Sequence, residues 1–150
     1  MPIGEKVKLG KNVTIQHPEL VNLYGNVEIG DNTKIGAFVE IQDGVKIGKN
    51  CKIQSHAFIC SGVTMQDNVF VGHGVVFIND TMPKVSSSWK LKSTLVKSGA
   101  SIGSNATILP VTIGYESLIG AGSVVTRYVR DYAVVCKNPA QTIRFKAHRQ

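Results

Sequence analysis

The chain has 150 residues, 43% of them hydrophobic and 18% charged, and carries a formal net charge of +7. That length fits one domain over 1–150 with room for a buried core, and no run approaches the roughly 18 apolar residues of a membrane span. The three cysteines (Cys51, Cys60, Cys136) are odd in number and form no C-x-x-C pair, which argues against a disulfide framework or a zinc site.

In chain order, the opening MPIGEKVKLG lacks an apolar stretch followed by a small-residue cleavage site, so no signal peptide is expected. With the cysteine usage, this predicts a cytoplasmic protein with no membrane partner. Leu9, Ile15 and Val21 then form a short series spaced by six, with an irregular first coil expected around His17-Pro18. From Ile29 a longer series begins, two positions out of register with the first: Ile35, Ile41, Ile47, Ile53, Ile59, Met65, Val71 and Phe77. Two places before each stands a smaller or β-branched residue: Val27, Thr33, Val39, Val45, Cys51, Ala57, Val63, Val69 and Val75.

A period of six matches neither the helical repeat nor a hairpin ladder. It fits a chain that turns a corner every six residues and sends one aliphatic side chain inward from each short strand. Gly30-Asp31-Asn32 and Gly48-Lys49-Asn50 supply residues that tolerate unusual backbone angles at such corners. Stacked coils of this kind make an all-β, left-handed parallel β-helix with an aliphatic column as its core. Flat sides let identical copies pack together.

From Asp80 to about Lys97 the period is lost, in a stretch holding Pro83, Lys84, a run of three serines and the only tryptophan, Trp89. An inserted loop of this length in a compact domain is usually functional, and it can reach a neighbouring copy. Trp89 serves either to stack on a ligand or to pin the loop to the solenoid. The period resumes at Ile102, Ile108, Ile113, Ile119 and Val125, with a corner one residue short near Leu109-Pro110. Tyr132–Val135 reads as a last strand. Asn138-Pro139-Ala140 reads as the start of a short amphipathic helix capping the core over about 139–150.

Basic residues outnumber acidic ones by 17 to 10, which attracts anions, but no aromatic-basic recognition motif accompanies them and nucleic acid is not expected. Histidine is the usual proton acceptor near neutral pH, and the chain offers His17, His56, His73 and His148. His17 lies in the irregular coil and His148 in the tail, so both are weak candidates. His56 and His73 fall on successive coils near one edge, and His73 stands between two glycines just before the loop. Both also fit a structural role along a corner. Asn79 and Asp80 stand where the coil gives way to the loop.

The phrase IGAGSVVT (Ile119 to Thr126), followed by YAVVCKNPA (Tyr132 to Ala140), resembles the hexapeptide-repeat acyltransferases over nearly the whole chain. VNLYGN, IGAFVEIQ, VFVGHGVVFIND and TLVKSGASIGSNATIL are similar to one branch, the N-acetyltransferases of UDP- or dTDP-linked 3-amino-deoxy sugars in surface-polysaccharide assembly. The resemblance implies a homotrimer that binds acetyl-CoA in a groove between two solenoids and uses no metal. Ala121, Gly122 and Ser123 match the places where main-chain groups receive the pantetheine. Asn138, Pro139 and Ala140 match the adenine end, and Arg127 or Arg144 pairs with CoA phosphates. Lys137 and Arg130 depart from the Gly and Pro common in the family.

In that branch an asparagine resembling Asn79 lies near the reacting amine and thioester. Asn79 then fixes the amine or donates to the thioester oxygen, and Asp80 accepts a proton or holds a sugar hydroxyl. His73 is either the base or an orienter. Asn22, Tyr24, Gln42, His56, Lys84 and Trp89 are candidates for the sugar nucleotide. Two alternatives stay open: O-acetylation of a sugar or small alcohol, and a zinc-holding, carbonic-anhydrase-like solenoid drawing on His56 and His73.

Overall fold

The computed structural model describes residues 2–86 and 88–147. Its strands run in three parallel sheets, and successive strands fall on successive sheets, so the chain coils as a left-handed parallel β-helix. The first sheet stacks Lys8–Leu9, Glu28–Ile29, Lys46–Ile47, Val63–Met65, Thr94–Val96 and Thr112–Ile113. The second stacks Thr14–Ile15, Lys34–Ile35, Lys52–Ile53, Phe70–Val71, Ser101–Ile102, Leu118–Ile119, Ala133–Cys136 and Gln141–Phe145. The third stacks Asn22–Leu23, Glu40–Ile41, Phe58–Ile59, Val76–Phe77, Thr107–Ile108 and Val124–Val125. No helix among the described residues is long and apolar enough to cross a membrane.

Each hexad buries two side chains and exposes the one between, as in Val27-Glu28-Ile29 and Val45-Lys46-Ile47. All nine positions from Ile29 to Phe77 are buried, and so are the nine that precede them by two. Burying such a side chain stabilises by roughly 1.5–3 kcal/mol, so the column supplies most of the driving force. At two inner places held by a small polar residue a corner carbonyl satisfies the hydroxyl: Thr33 Oγ1 donates to Gly48 O at 2.8 Å and Ser123 Oγ to Gly120 O at 2.6 Å.

The glycines that follow the aliphatic residues have a different reason from the one expected. The left-handed backbone falls on Asn32 and Asn50, at φ 62° and 56°, while Gly30 and Gly48 are not in that region. Instead, coils touch there: a Cβ on Gly30 would lie 2.5 Å from the carbonyl carbon of Gly48. Gly30 leaves room there for the next coil's main chain, which lies on it.

Three sequence expectations need correction. Leu9 and Ile15 belong to the main column, paired with Ile29 and Ile35, and the residue that continues them is Leu23, paired with Ile41. A 3₁₀ turn at Pro18–Leu20 absorbs the two extra residues, so Val21 takes the inner position before Leu23. The irregularity expected at His17-Pro18 is therefore this turn.

The loop is shorter than expected. Thr94–Val96 is already a strand, paired in register with Val63–Met65. Val96 is fully buried six residues before Ile102, and Lys92 N donates to Asn79 O at 3.0 Å to close the loop. The short corner near Leu109-Pro110 is observed, with Ile108 and Ile113 on consecutive sheets.

The capping helix expected over 139–150 is a strand instead, Gln141–Phe145, antiparallel to Ala133–Cys136. Lys137 turns at φ 86°, Asn138-Pro139 is cis, and Ala140 N donates to Val124 O at 2.8 Å. With its amides bonded outward, the segment has no helical first turn, and the β-branched Thr142 and Ile143 extend along the last strand's open edge. His148 and Arg149 lie outside the described residues.

Candidate functional site

The third sheet has two edges, and they carry different groups. Along the edge that follows its strands, the coils bring Asp43, Ser61, Asn79 and Arg127 to equivalent corners, and the loop leaves from there. An open groove of about 620 Å³ lies at this edge, lined by Gln42, Ser61, Asn79 and Asp80 with Phe58, Cys60, Val76, Ile78, Pro83, Trp89 and Leu91. Four of the residues singled out from the sequence meet here: Gln42, Asn79, Asp80 and Trp89. Lys84 and Asn22 are exposed outside the lining, and Tyr24 lies one coil before Gln42.

The polar floor of the groove is a chain of hydrogen bonds. Asn79 Nδ2 donates to Ser61 O at 3.0 Å, and Ser61 N donates to Gln42 Oε1 at 3.2 Å. Gln42 Nε2 donates to Glu40 Oε2 at 3.4 Å, and Asn22 Nδ2 to Glu40 Oε1 at 3.0 Å. A main-chain N–H only donates and a carbonyl only accepts, so Ser61 fixes which end of each amide faces it. The Asn79 amide therefore spends its NH₂ on Ser61, and Oδ1 is the end not committed there.

Asp80 Oδ1 accepts from Met82 N at 3.0 Å and starts the loop, while Lys92 Nζ donates to Thr81 Oγ1 at 3.0 Å to tie its two stems. Trp89 is 49% exposed, so its ring both lines the groove and remains available to a ligand. Burial pushes the Cys60 thiol up to about 11, which keeps it neutral beside the groove.

The opposite edge of the third sheet carries the histidines. His73 precedes the strand Val76–Phe77 that Asn79 follows, so one chain holds them on opposite sides of that strand. His73 Nδ1 and Ser55 Oγ are 2.9 Å apart, and the ring of His56 lies 4.9 Å from that of Phe38, centre to centre. The two histidines do share an edge on successive coils, and neither lines the Asn79 groove. Ala121 and Gly122 turn the same corner three coils beyond His56, exposed, with Gly122 N bonded to Ser104 O. The exposed His17 ring lies 3.4 Å from the Glu19 carboxylate.

At the C-terminal end, the turn through Asn138 passes beside Val124, whose N–H and C=O bond Lys137 O and Ala140 N. A cavity of about 300 Å³ there is lined by Arg127, Tyr128, Pro139, Ala140, Gln141 and Thr142. Arg127, Pro139 and Ala140 thus come together, whereas Arg144 lies on the exposed strand opposite Val134. Ser123 is wholly buried, with its main-chain N–H and C=O bonded to Gly120 O and Thr107 N. Among the described residues no three His, Cys, Asp or Glu side chains gather within a chain as a metal site would need.

The sequence did not point to Glu40 or Ser61. Glu40 lies at an ordinary outward hexad position, and Ser61 acts through its main chain, which leaves no residue-type signature. The apolar lining from Phe58, Cys60, Val76, Ile78 and Leu91 reads in the sequence only as part of the repeat.

Two family models match the chain. Bacterial transferase hexapeptide (six repeats) matches residues 26–61 and 44–79, and the hexapeptide repeat of succinyl-transferase matches residues 98–127. The dTDP-3-amino-3,6-dideoxy-α-D-galactopyranose 3-N-acetyltransferase of Aneurinibacillus thermoaerophilus is 53% identical over 49 residues, 32% of this chain and 26% of that protein. The match thus spans about a quarter of that relative's length. Among solved structures, a mutant of the N-acyltransferase AntD from Bacillus cereus, in complex with dTDP and coenzyme A, superimposes with a TM-score of 0.77. That likeness is at 22% identity, over 93% of this chain and 84% of that one. A hexapeptide transferase family protein from Anaplasma phagocytophilum gives 0.78 at 17% identity, over 94% and 80%. At such identities the likeness establishes the fold. With the hexads buried as the repeat requires, the chain carries the bacterial transferase hexapeptide repeat over residues 26–79 and the hexapeptide repeat of succinyl-transferase over residues 98–127.

Proposed function

We propose that the protein is an acyltransferase that moves the acetyl group of acetyl-CoA onto the amino group of a nucleotide-linked 3-amino-deoxy sugar. The observation that carries this reading is the Asn79 groove, where an oriented amide stands beside a carboxylate and below an aromatic loop. An acceptor amine needs a hydrogen-bond acceptor to aim its lone pair at the thioester, and Asn79 Oδ1 is the free end of that amide. This favours Asn79 as the group that fixes the amine over a donor to the thioester oxygen.

In the reaction proposed, the neutral amine attacks the thioester carbonyl carbon, a C–N bond forms and the C–S bond breaks. The proton lost by nitrogen passes to Asp80 or directly to the departing thiolate. The Aneurinibacillus thermoaerophilus relative, an N-acetyltransferase of a dTDP-linked 3-amino sugar, agrees with this acceptor class. The Arg127, Pro139 and Ala140 cavity suits the adenine and phosphate end of the donor. Ala121 and Gly122 present an exposed corner for the pantetheine.

Because His73 and the Ala121–Gly122 corner lie on one edge of the third sheet and Asn79 on the other, the complete site forms between two copies. We place it at the interfaces of a homotrimer, with the sugar nucleotide drawing on Tyr24, Gln42 and Trp89 and with His73 orienting from the neighbouring copy.

The test is release of free CoA thiol from acetyl-CoA with a panel of UDP- and dTDP-linked 3- and 4-amino sugars. Turnover is expected with a 3-amino acceptor, and Asn79→Ala is expected to lower kcat by about 100-fold, the scale of one lost positioned catalytic group. No thiol release with any amino acceptor would sink the reading. Turnover on hydroxyl acceptors that His73→Asn abolishes would replace it with O-acetylation.

A further inference from the structure

We propose that Glu40 is a positioning residue for Asn79, acting across two coils of the solenoid; this rests on the reaction assigned above. Glu40 does not line the groove. Its two carboxylate oxygens accept from Asn22 Nδ2 and from Gln42 Nε2, at 3.0 and 3.4 Å. A carboxylate only accepts, so it holds the Gln42 amide with NH₂ toward itself and Oε1 toward the next coil. There Gln42 Oε1 receives Ser61 N at 3.2 Å, and the carbonyl of the same residue receives Asn79 Nδ2 at 3.0 Å.

Ser61 is thus held from below through its N–H and engaged from above through its C=O. The neighbouring Gly62 turns this corner at φ 97°, a conformation that glycine adopts without strain. Every donor in the chain meets an acceptor in one sense only: Asn22 to Glu40, Gln42 to Glu40, Ser61 to Gln42, Asn79 to Ser61. Reversing the Asn22 or Asn79 amide sets acceptor against acceptor, and reversing Gln42 also sets donor against donor at Ser61 N. The consequence is that Asn79 Oδ1 stays turned away from Ser61, as the reaction requires.

This directionality yields a sharp experiment. In Glu40→Gln the new amide cannot accept from both neighbours, so either Asn22 or Gln42 faces a donor. In Gln42→Glu two carboxylates confront each other. In the double variant E40Q/Q42E all four bonds are restored: the amide at 40 accepts from Asn22 and donates to the carboxylate at 42, which still accepts Ser61 N. Neither residue needs to move, since the two side chains exchange one oxygen for one NH₂.

Each single variant is expected to lower kcat by about tenfold, the scale of one or two lost hydrogen bonds to ordered groups. KM for acetyl-CoA is expected to stay unchanged, because the donor does not touch this chain of bonds. The double variant is expected to return to within a few-fold of the wild type. Three results would overturn the proposal: a double variant as slow as the product of the singles, singles that melt earlier yet keep full kcat, or rescue through KM alone.

The same four proteins carry a second reading that uses no substrate, the thermodynamic cycle of their melting temperatures. Non-additive recovery in the double variant supports the bond chain, and additive losses refute it. A wild type without turnover on amino acceptors refutes the assigned reaction, while the melting cycle still decides the chain of bonds.

Discussion

Cys60 lies under the groove with its side chain almost wholly shielded, and loss of hydration raises its thiol from 9.0 to about 11. Cys51 is raised for the same leading reason, burial. A thiol that titrates higher in the folded chain holds its proton more tightly there than in the unfolded chain. The stability this confers is complete below pH 9 and is lost as pH climbs from 9 toward 11. Thermal unfolding followed over this range is expected to show a falling melting temperature, with a shallower fall in Cys60→Ala. An identical slope in the variant would contradict the assignment. The neutral thiol also means that Cys60 shapes the groove and does not carry an acyl group. At this scale, Asn79, Asp80 and Trp89 were legible because they stand at or in the break of the repeat, and Gln42 only as a polar residue on an earlier coil. Glu40 and Ser61 were not, because one sits at a regular outward position and the other works through its peptide group.

The inserted loop occupies no space in the solenoid's own register. Asn26, Gly44, Gly62 and Asp80 are equivalent corner positions, and Val27, Val45 and Val63 are followed in that column by Thr94. Residues 81–86 and 88–93 therefore lie outside the coil. Excising 81–93 and joining position 80, changed from Asp to Gly, to Thr94 recreates the Gly44-Val45 corner. The excised protein is expected to fold with a melting temperature within a few degrees of the parent, since loop closure is inexpensive on this scale. It is expected to lose activity by more than about 100-fold, because the Trp89 wall of the groove and Asp80 go with the loop. Circular dichroism and the thiol-release assay check the two halves separately, and loss of the fold would refute the register argument.

The strands were predictable one by one because each hexad carries its own instruction, an inner pair around an outer residue. The loop's end was harder to place, since Thr94-Leu95-Val96 carries the in-out-in alternation for only one strand after a long gap. The C-terminal strand was misread as a helix. Asn-Pro-Ala is a good local helix start, but bonds from Val124 to Lys137 and Ala140, contacts remote in sequence, overrode that preference.

At the scale of the whole molecule, the arrangement of functional groups makes a prediction that no single chain can meet. His73 and Asn79 lie on opposite edges of the third sheet, so a site using both joins two copies. Light scattering is expected to give three times the 16.2 kDa chain mass. His73→Ala and Asn79→Ala, each impaired alone, are expected to complement when co-expressed, because about a quarter of the interfaces in a random mixture unite the two intact edges. No recovery of activity in the mixture would place the chemistry within one chain.

What the sequence alone determined was the solenoid: the six-residue period dictates short strands, corners and an aliphatic column, because each of those demands is met within a few residues of itself. The tertiary structure decided what lies beside what. It separated the histidine edge from the asparagine edge, aligned Glu40, Gln42, Ser61 and Asn79 into one directed chain of bonds, and turned the tail into a strand. The bonds between coils in that chain join residues 18 or 19 apart, and those that turn the tail join Val124 to Lys137 and Ala140, so no local pattern of residue types records them.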